Sequence, residues 1–247
     1  MTTVSIVWAD PAAVPASLLG LLDAGERARH DALLRPADRQ RFLAAHALTR
    51  LVLGEVLDTD PAALAFVHRC ATCGGPHGKP ALRQKGVTPF LDSGRPEFSV
   101  SHAGDRVVVA VAGAPVGVDV ETAGAALEPA EFAAVTLAPT ERRALGELPP
   151  GEQPAALLRT WVRKEAVLKA TGRGLAVPPD RVELAPPGAP PALVAWGAED
   201  DPGPVALADV DLGPGRIAAV AVLAPTTPNV EIRAWSGRPT FAGAPAG

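Results

Sequence analysis

Asp119 and Glu121 close the apolar run APVGVDVE, residues 114–121. On an extended strand, residues two apart face the same side, so the two carboxylates project together while Val118 and Val120 point to the core. Such a pair fits the solvated face of an ordinary strand. It also fits a hard divalent cation such as Mg2+, which prefers oxygen ligands, keeps waters and completes its shell with substrate phosphates. Trp161, Glu165 and Lys169 in LLRTWVRKEAVLKATGRGL are spaced four apart and share one helical face, flanked by Leu158 and Val162. Glu165 and Lys169 alone would make a surface pair worth about 0.2 to 0.5 kcal/mol. A Trp on the same stripe implies a packed or covered face, where an unpaired Glu is costly and a metal would relieve that cost. Donors for a phosphate stand in two places: Lys79 in GKP, and Ser101 with His102 at the end of FSVSH. His68, Cys70, Cys73 and His77 in HRCATCGGPHGKP are four potential zinc ligands. The tight His68 to Cys70 spacing and the lack of a second, distant pair favour a reduced, loop-forming Cys pair over bound zinc.

The elements that must hold these groups follow from periodicity. TVSIVW reads as an opening strand, and PADRQRFLAAHALTRLVLGEVL as a long helix with Pro36 in its first turn and an apolar stripe through Phe42, Leu43, Ala47, Leu51 and Val56. The Val-rich runs FSVSH, RVVVAVAG and PVGVDVE, separated by AGD and AP, suggest an antiparallel meander. LAPTERRALGEL and GEQPAALLRTWVRKEAVLKATG read as helices, the second stopping at Gly172. DRVEL, ALVAW, PVALADVDL, GRIAAVAVLA and VEIRAW read as strands. A helix followed by strands thus occurs twice, which predicts an α+β protein of two similar halves, residues 1–116 and 117–235, with a mobile tail over 236–247 and a site at the seam. No clean sequence repeat accompanies the division.

Composition narrows the function classes. The 247 residues are 47 % hydrophobic and 20 % charged, with a net charge of −4. That balance gives no general attraction to nucleic acid or to an anionic membrane, and no apolar run is long enough to span one. The N-terminus carries no basic segment before its apolar residues, so a cytoplasmic location is expected.

Taken in order, G-K-P, F-S-V-S-H, G-V-D-V-E and W-V-R-K-E-A-V-L-K with G-R-G-L after it closely resemble the 4'-phosphopantetheinyl transferases of the longer, monomeric, surfactin-synthetase-activating type, from about Glu26 to Leu184. The resemblance implies an enzyme that moves the phosphopantetheine arm of coenzyme A onto a serine of an acyl, peptidyl or polyketide carrier protein, releasing adenosine 3',5'-bisphosphate. It implies a fold of two similar α+β halves with coenzyme A between them. Asp119, Glu121 and Glu165 match the family's ligands for Mg2+ or Mn2+, Glu165 also being its candidate base, directly or through a water. Lys169 matches the lysine on the leaving side. Ser101 and His102 match contacts to the coenzyme A phosphates, and Lys79 matches the lysine of the adenine and 3'-phosphate pocket. Arg27, His30 and Arg41 fall where the family has basic residues, His30 standing in place of a lysine. The segment EPAEFAAVTLAPTERRALGEL matches the region that docks the carrier, where Phe132, Val135, Thr136 and Leu137 are either contacts or core. CATCGGPH is an insertion with no assigned role.

Two other readings use some of the same residues. A metal-dependent phosphohydrolase would also need three acids and a lysine, without a carrier protein. A zinc-knuckle binding module centred on Cys70 and Cys73 would need zinc but not Asp119.

Overall fold

The computed structural model describes residues 2–68, 70, 73–75, 78–83, 96–124 and 129–237. Its strands are β1 (Thr3–Ala9), β2 (Phe66–His68), β3 (Pro80–Leu82), β4 (Glu97–Ala103), β5 (Arg106–Ala112), β6 (Val116–Thr122), β7 (Val182–Leu184), β8 (Leu193–Trp196), β9 (Ala206–Val210), β10 (Arg216–Val222) and β11 (Asn229–Ala234). Its α-helices are α1 (Ala24–Ala32), α2 (Pro36–Leu57), α3 (Pro129–Thr136), α4 (Pro139–Gly146) and α5 (Gln153–Thr171). Among the described residues, no helix is long and apolar enough to cross a membrane.

Two sheets carry the architecture, one ordered β11-β1-β5-β4 and the other β6-β10-β9. Strand alternation sorts their side chains into layers. Val107, Val109 and Val111 face α2, whereas Val108 and Ala110 join Val4, Ile6, Val118, Val120 and Val220 between the sheets. On the far side Ala219 and Ala221 pack against Val162, Ala166 and Leu168 of α5. The layers therefore run helix, sheet, sheet, helix.

β1-β5-β4 in the first half and β6-β10-β9 in the second have the same order and the same antiparallel pairing. A buried ion pair is duplicated as well. In the first half Arg50, from the middle of α2, donates to Glu26 Oε2 at 2.7 and 3.0 Å and to the carbonyls of Pro61 and Leu64. In the second, Lys164 of α5 donates to Glu141 Oε2 at 2.5 Å and to the carbonyls of Thr136 and Pro179. Each Glu sits in the first turn of a short helix and reaches back to its cap N–H, Asp23 in one case and Ala138 in the other. The cations are fully buried, so their hydrogen-bonding capacity has to be met by these carboxylates and carbonyls.

The structure departs from the sequence expectations in several places. β6 does not continue a meander from β5: the edge of β5 away from β4 is taken by β1, and β6 pairs with β10 instead. The expected helix LAPTERRALGEL is shorter, beginning at Pro139, with α3 standing separately before it. Val56 is half exposed rather than part of an apolar stripe, because α2 is buried on nearly every side between Leu43 and Gly54. β11 pairs in parallel with β1, so residues 229–234 join the first sheet although they follow the second half in sequence. Of the expected tail, residues 238–247 lie outside the described residues.

Candidate functional site

α5 lies closely on β6, and Gly117 is the reason. A Cβ at this position would stand 2.0 Å from the Ala166 carbonyl oxygen and 2.4 Å from the Ala170 nitrogen, both backbone atoms. The small residue brings Glu165 and Lys169 over the strand face that carries Asp119 and Glu121. The result is a cavity of about 300 Å³ lined by Val100, Ser101, His102, Asp119, Glu121, Trp161, Glu165 and Lys169. Residues from β4, β6 and α5, far apart in sequence, thus meet at the seam. Phe132 of α3 packs edge-on against Trp161, with ring centres 5.1 Å apart.

No backbone ladder joins β4 to β6. Side chains take its place. Ser99 Oγ accepts from the Val118 N–H at 3.1 Å and Ser101 Oγ from the Val120 N–H at 3.3 Å, while Lys79 donates to the Val116 carbonyl at 2.8 Å and Lys169 to the Val118 carbonyl at 3.3 Å. These contacts satisfy a strand edge that would otherwise leave polar groups unpaired.

Asp119 is almost wholly buried. Its Oδ1 accepts from Ser101 Oγ at 2.8 Å and from Lys169 Nζ at 2.6 Å, and its Oδ2 is buried without a hydrogen-bond donor among the described residues. Burial raises the Glu121 pKa, and the Asp119 carboxylate adds to the rise against the pull of Lys169. Burial also raises the Glu165 pKa, with Lys169 opposing and Asp119 and Glu121 reinforcing. An orphaned carboxylate oxygen beside two further acids is a donor set that suits a hard divalent cation. Among the described residues, no group of three or more His, Cys, Asp or Glu side chains stands arranged to hold a metal ion by itself.

Beside this cavity lies a second, of about 220 Å³, lined by residues that include Arg29, His46, His68, Phe66, Phe98 and His102. Burial lowers the His102 and His68 pKa values, and nearby cations, Arg41 for His102 and Arg29 for His68, add to the effect. A third hollow holds Arg41, Phe42, His102 and Glu121. Of the basic residues singled out in sequence, Arg41 thus faces the seam, where it also pairs with Asp38. Arg27 turns instead to the Leu22 carbonyl. Arg29, one helical face away on α1, reaches the second cavity and lies over the Phe42 ring. Sequence reasoning missed Arg29, His46 and the aromatic lining, because it delimited no helix over residues 24–32 and so had no face on which to sort Arg27 from Arg29. His30 contacts Asp31. Lys79 is held at the seam, with Glu97 3.6 Å away, while its neighbour Pro80 lines the second cavity. Burial lowers the Lys79 pKa against the opposing charge of Glu97.

The docking segment divides. Leu137 and Thr136 are buried, Phe132 is partly covered, and Val135 is exposed. The Gly75 N–H points to Cys73 Sγ at 3.4 Å and the Gly74 N–H to the Cys70 carbonyl at 2.9 Å. His77, the fourth potential zinc ligand, lies outside the described residues.

Two α+β halves of the same strand order, with a carboxylate-lined cavity at their seam, define the architecture. Comparison with known proteins gives the family. Residues 115–221 match the 4'-phosphopantetheinyl transferase superfamily. The chain is 30 % identical to the 4'-phosphopantetheinyl transferase HetI of Nostoc sp. over 175 residues, 69 % of each protein. It is 31 % identical over 156 residues to a Synechocystis sp. protein provisionally given the same activity, covering 63 % of this chain and 58 % of that one. It is 27 % identical to a 4'-phosphopantetheinyl transferase of Bacillus subtilis, over 66 % of each. The chain belongs to the 4'-phosphopantetheinyl transferase family.

Proposed function

We propose that the protein transfers the 4'-phosphopantetheine arm of coenzyme A to a serine of an apo carrier protein, acting as a monomer in the cytoplasm on acyl, polyketide or nonribosomal peptide carriers. The observation that carries this reading is the meeting of Asp119, Glu121, Glu165, Lys169 and His102 around one seam cavity, with a second cavity beside it lined by Arg29, three histidines, two phenylalanines and the buried Glu26. The nucleotide end of coenzyme A sits in the second cavity, where Phe66 and Phe98 offer ring faces and Arg29, His46 and His102 offer donors to its phosphates. Arg41 and Lys79 stand at the margins of the same path, and Arg29 takes the part expected of Arg27.

In the reaction, the carrier serine Oγ forms a bond to the β-phosphorus of the pyrophosphate as the bond from that phosphorus to its bridging oxygen breaks. The bridging oxygen leaves on adenosine 3',5'-bisphosphate. The serine proton passes to Glu165, directly or through a water. Lys169, whose ammonium bonds Asp119 Oδ1, Ser101 Oγ and Val118 O, supplies positive charge beside the leaving side, and the edge-on pair of Trp161 and Phe132 forms an apolar wall next to it. Asp119, Glu121 and Glu165 would hold Mg2+ or Mn2+. Such an ion, when bound, supplies Lewis-acid polarisation of the pyrophosphate and offsets its charge. Val135, exposed on α3 next to Phe132, offers an apolar contact for the carrier.

The test is intact-mass analysis of an apo carrier incubated with the protein, coenzyme A and Mg2+, beside an Asp119→Ala variant. The expected result is a gain of one phosphopantetheine arm that requires both metal and Asp119. No gain with carriers from several pathways would overturn the assignment. A gain that survives Asp119→Ala would overturn the placement of the metal.

A further inference from the structure

Ser101 matches a residue expected to touch the coenzyme A phosphates, yet its hydroxyl is fully occupied by the protein. A serine hydroxyl has one donor hydrogen and two acceptor lone pairs. Here it donates to Asp119 Oδ1 at 2.8 Å and accepts from the Val120 N–H at 3.3 Å and from Lys169 Nζ at 3.3 Å. The residue is buried, and Ser99, two positions earlier on the same strand face, makes the equivalent contact to the Val118 N–H. Ser101 thus belongs to the row of side chains that stands in for a ladder between β4 and β6. It has no proton left for a phosphate oxygen without giving up Asp119.

From this geometry we infer that Ser101 is a positioning residue for Asp119, not a contact for coenzyme A. With Lys169 it holds Oδ1 in place, so the carboxylate cannot rotate and Oδ2, the orphaned oxygen, keeps a fixed aim. Because the same hydroxyl accepts from the backbone of β6, the orientation of Asp119 is tied to the spacing of the two halves. Polar partners behind a metal-binding carboxylate typically contribute about 10- to 100-fold in metal affinity. The inference rests on the transferase reading only where it concerns coenzyme A.

The experiment measures two affinities for wild type, Ser101→Ala and Ser101→Thr: Mn2+ binding to the ligand-free protein by electron paramagnetic resonance, and coenzyme A binding in EDTA by calorimetry. The expected outcome is Mn2+ binding weakened by about 10-fold or more in Ser101→Ala, restored toward wild type in Ser101→Thr, which keeps the hydroxyl, with coenzyme A affinity unchanged. Coenzyme A affinity lost with Mn2+ binding intact would overturn the inference, as would Mn2+ binding that ignores both substitutions. If Ser101→Ala does not fold, Ser101→Gly, which also lacks the hydroxyl, takes its place: weakened Mn2+ binding with coenzyme A affinity intact supports the inference, and a selective loss of coenzyme A binding refutes it. Should the wild type bind no coenzyme A in EDTA, carrier modification with Mg2+ decides the transferase reading, and the Mn2+ comparison still decides the role of Ser101.

Discussion

Replacing Gly117 by Ala tests how closely the site depends on the packing of one helix against one strand. The added Cβ would lie 2.0, 2.4 and 2.9 Å from Ala166 O, Ala170 N and Lys169 C, none of which belongs to a side chain able to swing aside. Carbon contacts are comfortable only beyond roughly 3.5 Å, so α5 has to retreat by about 1 Å or more. Overpacking of a core costs about 1–3 kcal/mol, and two opposed backbones place this case at the upper end, about 3 kcal/mol. For a chain of this size each kcal/mol moves Tm by roughly 2–4 °C, which gives a fall of roughly 6–12 °C. The displaced segment carries Glu165 and Lys169, and a misplacement of about 1 Å costs on the order of 100-fold in rate. Calorimetry and the rate of carrier modification by intact mass read the two effects. Gly113→Ala is the control: nothing lies within 4 Å of its added Cβ, so stability should hold or rise slightly. A Gly117→Ala protein that melts with the wild type and modifies carrier at the wild-type rate would refute the reasoning.

Two further outcomes follow from the duplicated ion pairs. Burial alone would raise the Glu26 pKa, but hydrogen bonds from His46, the Asp23 N–H and Arg50 outweigh it and bring it from 4.5 to about 2. The folded value is the lower one, so this stabilisation is complete above about pH 4.5 and is lost as pH falls toward about 2, amounting to about 3 kcal/mol. Urea midpoints across that window should fall more steeply for wild type than for Glu26→Gln; parallel curves would contradict the assignment. In the second half, Lys164→Met leaves the Glu141 carboxylate buried and unpaired, at a cost of about 3–5 kcal/mol. Adding Glu141→Leu removes the stranded charge, so the double variant should cost less than the sum of the single changes in a urea double-mutant cycle. Simple additivity would show that the pair is not coupled.

What could be read from sequence was local. The bounds of α2, Pro36–Leu57, follow from a proline that can start a helix and an unbroken run of helix formers. The end of α5 follows from Gly172, which takes the left-handed conformation at φ 70°. The facing of Asp119 and Glu121 follows from strand alternation, and the shared face of Trp161, Glu165 and Lys169 from helical spacing, so the centre of the site was legible. Pairing was not. Nothing in PVGVDVE tells whether its partner is RVVVAVA next door or RIAAVAV about a hundred positions on, since both are equally apolar. The two halves were legible from the twice-repeated order of elements, but no sequence repeat marks them, because their most specific shared feature, the buried cation, is Arg50 in one half and Lys164 in the other. Lys79 and Ser101 were legible as polar groups near the site but not as seam contacts, because a side chain's partner across a gap between sheets leaves no periodic trace.

The return of β11 to β1 gives the chain a closed path. It passes from the first half to the second through residues 113–115, and comes back before Asn229 to end as an edge strand beside where it began. The backbones of the halves are therefore joined twice, once by a short covalent tether and once by a clasp of parallel hydrogen bonds, in addition to the apolar layer between the sheets and the side chains that cross from β4 to β6. A single cut in the tether would yield two fragments that stay together, each carrying part of the seam. Peeling β11 away would leave a protein of intact covalent length whose halves are held by one tether and by side chains alone. One strand of the first sheet thus comes from residues remote in sequence from every residue that lines the site.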